Sequence, residues 1–327
     1  MTATDYRSYE EQTLHYFDRA HIGVPAGPVG GPAAWRSAEL VEADWLVELG
    51  PEERQALLDL GREQAANGRA LAEVGRAGLE ARALGPLIDR CRADLADGRG
   101  FVLLRGFPLD ELREAEVEAA FWALGLILGR PGAQNGEGDL LGHVTDYHDD
   151  PERPLVREYR TTVDINFHCD AADAVGLLCL AEAESGGGSR LVSSVTVFDE
   201  LLAAHPESAA RLCEVASLDT RSDGEGFEHG PVQPVCFDGE RLRTFMHLGY
   251  FRSAARHPDV VVDDRLAEAL DRWEAIATRP GMELEMTFRR GDVQLCSNHT
   301  VAHARRGYTD DPAAPRHLLR LWLTLET

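Results

Sequence analysis

From residue 160 onward the chain is cut into short apolar runs, and this pattern limits its fold more than any other feature. The runs are TTVDINFHCD, VGLLCLAEA, SRLVSSV, RLRTFMHLGYF, LEMTFRR, VQLCSNHTVAH and LLRLWLTLE. Each has a strand's length, and turn signals such as ESGGG and RRGD separate most of them. Two helical interruptions are expected, at 197–214 and 263–277. Many short strands after a helical layer point to a barrel or a two-sheet jelly roll with helices packed outside.

The first half supplies that helical layer. Residues 1–50 read as a partly irregular arm, because GVPAGPVGGPAAW interrupts regular structure. Helix formers dominate 51–97, opening on proline and acids in PEERQALLDLGREQ. GRGFVLLRGFP reads as a buried strand between glycines. The next segment places Val117, Phe121, Leu124 and Leu128 at helical spacing, and Gly129 ends it. Residues 130–160 are rich in glycine, aspartate and proline, a long loop of the kind that forms lids. The expected organisation is one domain over 1–327: the arm, a largely helical layer over 51–130, the lid loop, and a jelly-roll core with helical insertions over 160–327.

Charge excludes whole classes of partner. The formal charge is -23 and all 33 basic residues are arginine, without a basic stripe, so nucleic acid and anionic membranes are not expected partners. No apolar stretch approaches the roughly 20 residues that span a bilayer. Cys91, Cys169, Cys179, Cys213, Cys236 and Cys296 lack CxxC spacing and read as reduced thiols. MTATDYRSYEEQ has no basic region followed by an apolar run, so a cytoplasmic protein is expected. Oligomeric state is not legible.

Chemistry concentrates in two clusters. In the first, strand alternation would put Asp164, Asn166, His168 and Asp170 on one face and Ile165, Phe167 and Cys169 on the other. Such a face can simply meet water, or it can line a cavity that needs nitrogen and oxygen ligands. The second cluster is NHTVAHARRGYTDDPAAPRHLLRLWL, with His299, His303, Arg316 and Arg320. Two imidazoles and one carboxylate on a rigid scaffold make a facial triad for non-haem iron(II). His299 and His303 at i, i+4 could instead form a zinc pair on a helix, but HTVAH lacks the glutamate of HExxH and its threonine and valine favour a strand.

On these residues the sequence resembles the iron(II)- and 2-oxoglutarate-dependent dioxygenases of the taurine-dioxygenase and clavaminate-synthase-like type. The likeness covers roughly 100–327 and rests on RGF at 105–107, FHCD, SGGGSRLVSS, GDVQLCSNHTVAHAR and RHLLRLWL. It implies an α+β fold with a double-stranded β-helix core (jelly roll, cupin-like) and flanking, mainly N-terminal helices. It implies iron(II) held by His168, Asp170 and His303, 2-oxoglutarate as cosubstrate with its far carboxylate on Arg320, and O2 as oxidant. Ser189 falls where the family usually has a threonine on that carboxylate, and Arg316 is a second candidate contact. The implied reaction couples decarboxylation of 2-oxoglutarate to succinate with oxidation of a small amino-acid-like or natural-product substrate. The carboxylate at Asp170 favours hydroxylation over halogenation. Desaturation, epimerisation and cyclisation stay open, as does a non-catalytic small-molecule-binding jelly roll or a zinc hydrolase. Asp164, Asn166, His299 and Tyr250 are candidate substrate-pocket residues. RLRTFMHLGYF, read as a strand, puts Arg243, Phe245, His247 and Gly249 on one face, while His143 and His148 fall in the long loop.

Overall fold

The computed structural model describes residues 5–77, 79, 82–150, 158–221 and 228–325. The N-terminal arm is not wholly irregular. Helix α1 (Tyr9–Phe17) starts on a capping box, in which Ser8 accepts from the Glu11 amide and Glu11 accepts from the Ser8 amide. Strand β1 (Leu46–Glu48) leads to α2 (Pro51–Ala66) and α3 (Gly85–Ala96), each with proline in its first turn. The expected helical stretch 51–97 is thus two helices with an irregular link. Then come β2 (Phe101–Arg105) and α4 (Glu114–Leu128), the latter buried on nearly every side.

The expected loop 130–160 is not one uninterrupted loop. It contributes β3 (Arg130–Gly132) and β4 (Gly142–Val144), and part of it, 151–157, lies outside the described residues. Strands β5 (Ile165–His168), β6 (Ala174–Ala181), β7 (Ser185–Gly186) and β8 (Ser189–Ser193) follow. Helices α5 (Ser194–Ala204) and α6 (Pro206–Leu212) form the first expected interruption. Next are β9 (Ala216–Asp219), β10 (His229–Val232), β11 (Val235–Phe237), β12 (Leu242–Thr244) and helix α7 (Leu248–Ser253). The run RLRTFMHLGYF is therefore a three-residue strand that turns into a helix, so its alternation stops at Thr244. Helix α8 (Asp264–Ala277), capped by Asp263, is the second interruption. The chain ends in β13 (Leu284–Met286), β14 (Asp292–Ser297), β15 (Val301–Arg305), β16 (Tyr308–Thr309) and β17 (His317–Thr324).

Eleven of the strands form the two facing sheets of a double-stranded β-helix, and the rest pair as β9-β10, β11-β12 and β7-β16. The larger has the order β1-β2-β14-β6-β17-β3, with β4 also on β17; the smaller is β13-β8-β15-β5. Alternation sorts the side chains into layers. Along β17, Leu319, Leu321 and Leu323 face helices α2–α4, while Leu318 and Trp322 point into the space between the sheets. Arg320 lies between these two in the inward register. In β15, Ala302 and Ala304 pack toward α5, α6 and α8, which leaves Val301, His303 and Arg305 directed inward. Each sheet is covered outside by helices, so its strands read as near-continuous apolar runs. Polar residues within those runs mark the interior site.

Candidate metal centre and active site

The site begins with a disruption in β5. His303 pairs with His168, but Arg305 pairs with Ile165, so three residues of β15 (303–305) span four of β5 (165–168). This bulge breaks the alternation. Ile165 and His168 both line the interior, Phe167 packs outward into the α5–α8 layer, and Asn166 is turned to solvent. The expected shared face of Asp164, Asn166, His168 and Asp170 is thereby corrected. Asn166 contributes its carbonyl, 2.9 Å from Nδ1 of His168. A carbonyl only accepts, so Nδ1 carries the proton and Nε2 keeps its lone pair. Asp164 lies outside both site cavities, and its Oδ1 accepts the Gly307 amide at 3.0 Å.

His168, Asp170 and His303 converge. One potential ligand atom from each lies within 4.8 Å of the others, and no second such group occurs among the described residues. The His168 and His303 rings are 4.2 Å apart, and Nε2 of His303 is 3.6 Å from Oδ2 of Asp170. That oxygen is buried without a hydrogen-bond partner, a costly state unless a cation takes the place of a donor. Burial, followed by the neighbouring His168, pushes the His303 imidazole down to about 3, so it is a neutral donor at ordinary pH. Burial pushes the Asp170 carboxyl up, but Arg320, His303, His168 and Trp322 outweigh it and hold it below its usual value. Two imidazoles and an ionised carboxylate suit a divalent first-row metal with open positions.

Asp170 is positioned by Asn298, the first residue of the NHTVAH run, a role the sequence did not reveal. Asn298 is fully buried; its Oδ1 accepts the Asp170 amide at 3.0 Å and its Nδ2 donates to the Ala172 carbonyl at 2.9 Å.

Beside the triad is an inner recess of about 70 Å3 lined by Ser189, Arg305, Arg316 and Arg320 among others. Ser189 is buried and donates to Oε1 of Gln294 at 3.1 Å. Arg316 is buried, lies 5.1 Å over the Tyr308 ring, and has an Nη1 without a hydrogen-bond partner. The glycines of SGGGS let it in. Gly187 has φ +71, and a Cβ there would stand 3.1 Å from Nε of Arg316. Arg320 sits nearer the opening, lining this recess and the larger cavity. Its Nε donates to Oε1 of Gln134 at 2.6 Å, and its guanidinium covers Tyr159.

The larger cavity, of about 440 Å3, adjoins the triad and is walled by α1, β10, α7 and the end of β17. Tyr9, Thr13 and Phe17 come from the arm, whose helix was not read from the sequence. Tyr250 lines this cavity from a helix and stacks at 3.5 Å on His247. His299 does not. It faces a separate cavity of about 600 Å3 and bonds Asp173 Oδ1 at 2.8 Å, while His15 bonds the other carboxylate oxygen at 3.1 Å. The helical zinc pair of His299 and His303 is excluded, since 303 lies on a strand and the two rings serve different cavities. His143 pairs with His317 at 2.9 Å, and His148 is an exposed partner of Asp146 at 2.8 Å.

Comparisons with known proteins agree with this arrangement. The model of the family described as "Taurine catabolism dioxygenase TauD, TfdA family" matches residues 67–322. The chain is 30% identical over 317 residues to "FR-33289 synthase" of Streptomyces rubellomurinus (strain ATCC 31215), covering 91% of each. It is 27% identical over 240 residues to a uridine-5'-phosphate dioxygenase of Amycolatopsis sp, covering 68% of this chain and 86% of that one. Among solved structures, an asparagine oxygenase in complex with Fe(II), 2S,3S-3-hydroxyasparagine and succinate aligns with a TM-score of 0.67. That alignment has 21% identity and covers 86% of this chain and 94% of that one. The non-heme iron oxygenase OrfP, in complex with Fe and alpha-ketoglutaric acid, aligns with a TM-score of 0.65 at 18% identity, with the same coverage. Among the described residues no helix is long and apolar enough to cross a membrane. The chain belongs to the TauD, TfdA family and is a non-haem iron- and 2-oxoglutarate-dependent dioxygenase.

Proposed function

We propose that His168, Asp170 and His303 hold iron(II), and that the enzyme hydroxylates a small amino-acid-like or natural-product molecule seated in the cavity above them. The convergence of three ligand atoms beside an arginine-lined recess carries this reading. Iron(II) with 2-oxoglutarate and O2 supplies the oxidising chemistry. The chain's residues orient and seclude. His168 presents Nε2 because the Asn166 carbonyl fixes its tautomer. Arg316 and Ser189, both buried in the recess, grip the far carboxylate of the cosubstrate; guanidinium suits this because it is permanently charged and forked. The geometry favours Arg316 over Arg320 for that grip, since Arg320 is engaged by Gln134 at the boundary of the two cavities.

Relatives named for asparagine and uridine-5'-phosphate support a small-molecule substrate. Carboxylate in the Asp170 position supports hydroxylation. Tyr159, which borders both cavities, makes the segment before β5 the candidate closing element. Six free, buried cysteines support a reducing, cytoplasmic setting and one catalytic domain over 1–327 is the simplest organisation. A panel of amino acids, nucleotides and their conjugates, screened for substrate-stimulated succinate release with matching oxygen uptake, tests the proposal. Stimulation lost in His303→Ala is expected; stimulation that survives there contradicts it.

A further inference from the structure

One wall of the larger cavity has a polar construction that nothing so far explains. The His247 ring stacks on Tyr250 at 3.5 Å and 20°, and the Arg221 guanidinium lies 4.6 Å over the Tyr250 ring. All three residues line the cavity. His247 is bridged to His168 through the backbone, with their rings 5.3 Å apart, so the stack stands at a fixed offset from the triad. The backbone at Arg221 is also unusual. Its φ is 51, one of two positive values at non-glycine residues among those described, and Asp219 Oδ1 holds its amide at 2.8 Å. An arginine kept in left-handed backbone where glycine would be easier indicates that its side chain matters there.

The sign of the surroundings is informative as well. The chain has 56 acidic residues against 33 basic ones, yet Asp170 is the one carboxylate among the described residues lining this cavity. Arg221 and Arg320 both line it. Two guanidinium groups against a single carboxylate, which belongs to the triad, disfavour an ammonium or guanidinium group on a substrate.

We propose that the His247–Tyr250–Arg221 stack is the substrate-recognition wall, and that it takes the anionic end of the substrate, a carboxylate or a phosphate group, while excluding cationic ends. This rests on the iron reading above and names the substrate class for the same site. The imidazole offers a ring N–H donor, and the guanidinium supplies charge and a planar fork. Tyr250 keeps the two aligned.

The test uses enzyme loaded anaerobically with iron(II) and 2-oxoglutarate, whose visible charge-transfer band by itself tests the iron reading. Matched probes are then added to tens of millimolar: uridine 5'-phosphate against uridine, and 4-acetamidobutanoate against N-acetylputrescine. The expected result is a band perturbation by at least one anionic member, with at least ten-fold tighter binding than its partner. Arg221→Gln and His247→Ala should abolish that preference. Arg221→Gly, which relaxes the backbone, should fold at least as well as wild type and still lose it. A band that forms but responds to no anion, responds equally to both members of each pair, or keeps its preference in Arg221→Gly overturns the proposal while leaving the iron reading intact.

Discussion

Replacing Asn298 with alanine should loosen the metal centre from outside it. The amide is fully buried and joins the segment carrying Asp170 to the one leading to His303. Alanine leaves the Asp170 N–H and the Ala172 carbonyl without partners, at about 1–3 kcal/mol each. The combined cost of about 2–6 kcal/mol is a large share of the roughly 5–15 kcal/mol that holds a domain folded. With an unfolding entropy of ~2.1 cal/mol/K per residue, the melting midpoint should fall by about 3–9 °C. Loss of a group that orients a metal ligand typically weakens metal binding by about 10–100-fold. Denaturant titration of the metal-free protein, with calorimetric titration of Mn(II) as an oxygen-stable substitute, reads both effects. A variant within about 1 kcal/mol of wild type, or one destabilised but binding metal normally, would refute the positioning argument.

Other predictions follow from the same geometry. Asp173 ties His15, His299 and the Leu325 amide, and although burial pushes its carboxyl up, the histidine bonds hold it well below the usual range. A depressed folded value means that its contribution is present above the unfolded value of about 3.9 and is lost as pH falls below it; Asp173→Asn should flatten stability measured between about pH 5 and 2. Gly187→Ala should raise the KM for 2-oxoglutarate about ten-fold or more by displacing Arg316, read as a shift in KM larger than that in melting midpoint. Arg316→Gln should weaken 2-oxoglutarate binding about 100-fold and Arg320→Gln less, by anaerobic titration; the reverse order would restore Arg320 as the anchor.

The β-rich second half and the cover of helices were readable from strand-length apolar runs and turn residues, and so were the three potential ligands. The details that failed have specific causes. Alternation was extrapolated through β5, but pairing with β15 forces a bulge, which puts Ile165 inside and Asn166 outside. RLRTFMHLGYF has strand-like composition, yet its second half is helical and delivers His247 and Tyr250 from different elements than alternation implied. α1 was obscured by the glycine- and proline-rich stretch that follows it, although the Ser8–Glu11 capping pattern was present to be seen. Gln134 left no local signal, and Asn298 opened the NHTVAH run without showing its role, because each gains that role only from contacts distant in sequence.

The account depends on two imidazoles and a carboxylate sharing one ferrous ion next to a bound keto acid. Anaerobic visible spectroscopy of the purified chain with iron(II) and 2-oxoglutarate addresses this most directly. The wild type should develop a charge-transfer band saturating near one iron per chain, and His168→Ala, Asp170→Ala and His303→Ala should each abolish it. A wild type that stays colourless, or a band that persists unchanged when any of the three is replaced, would contradict it.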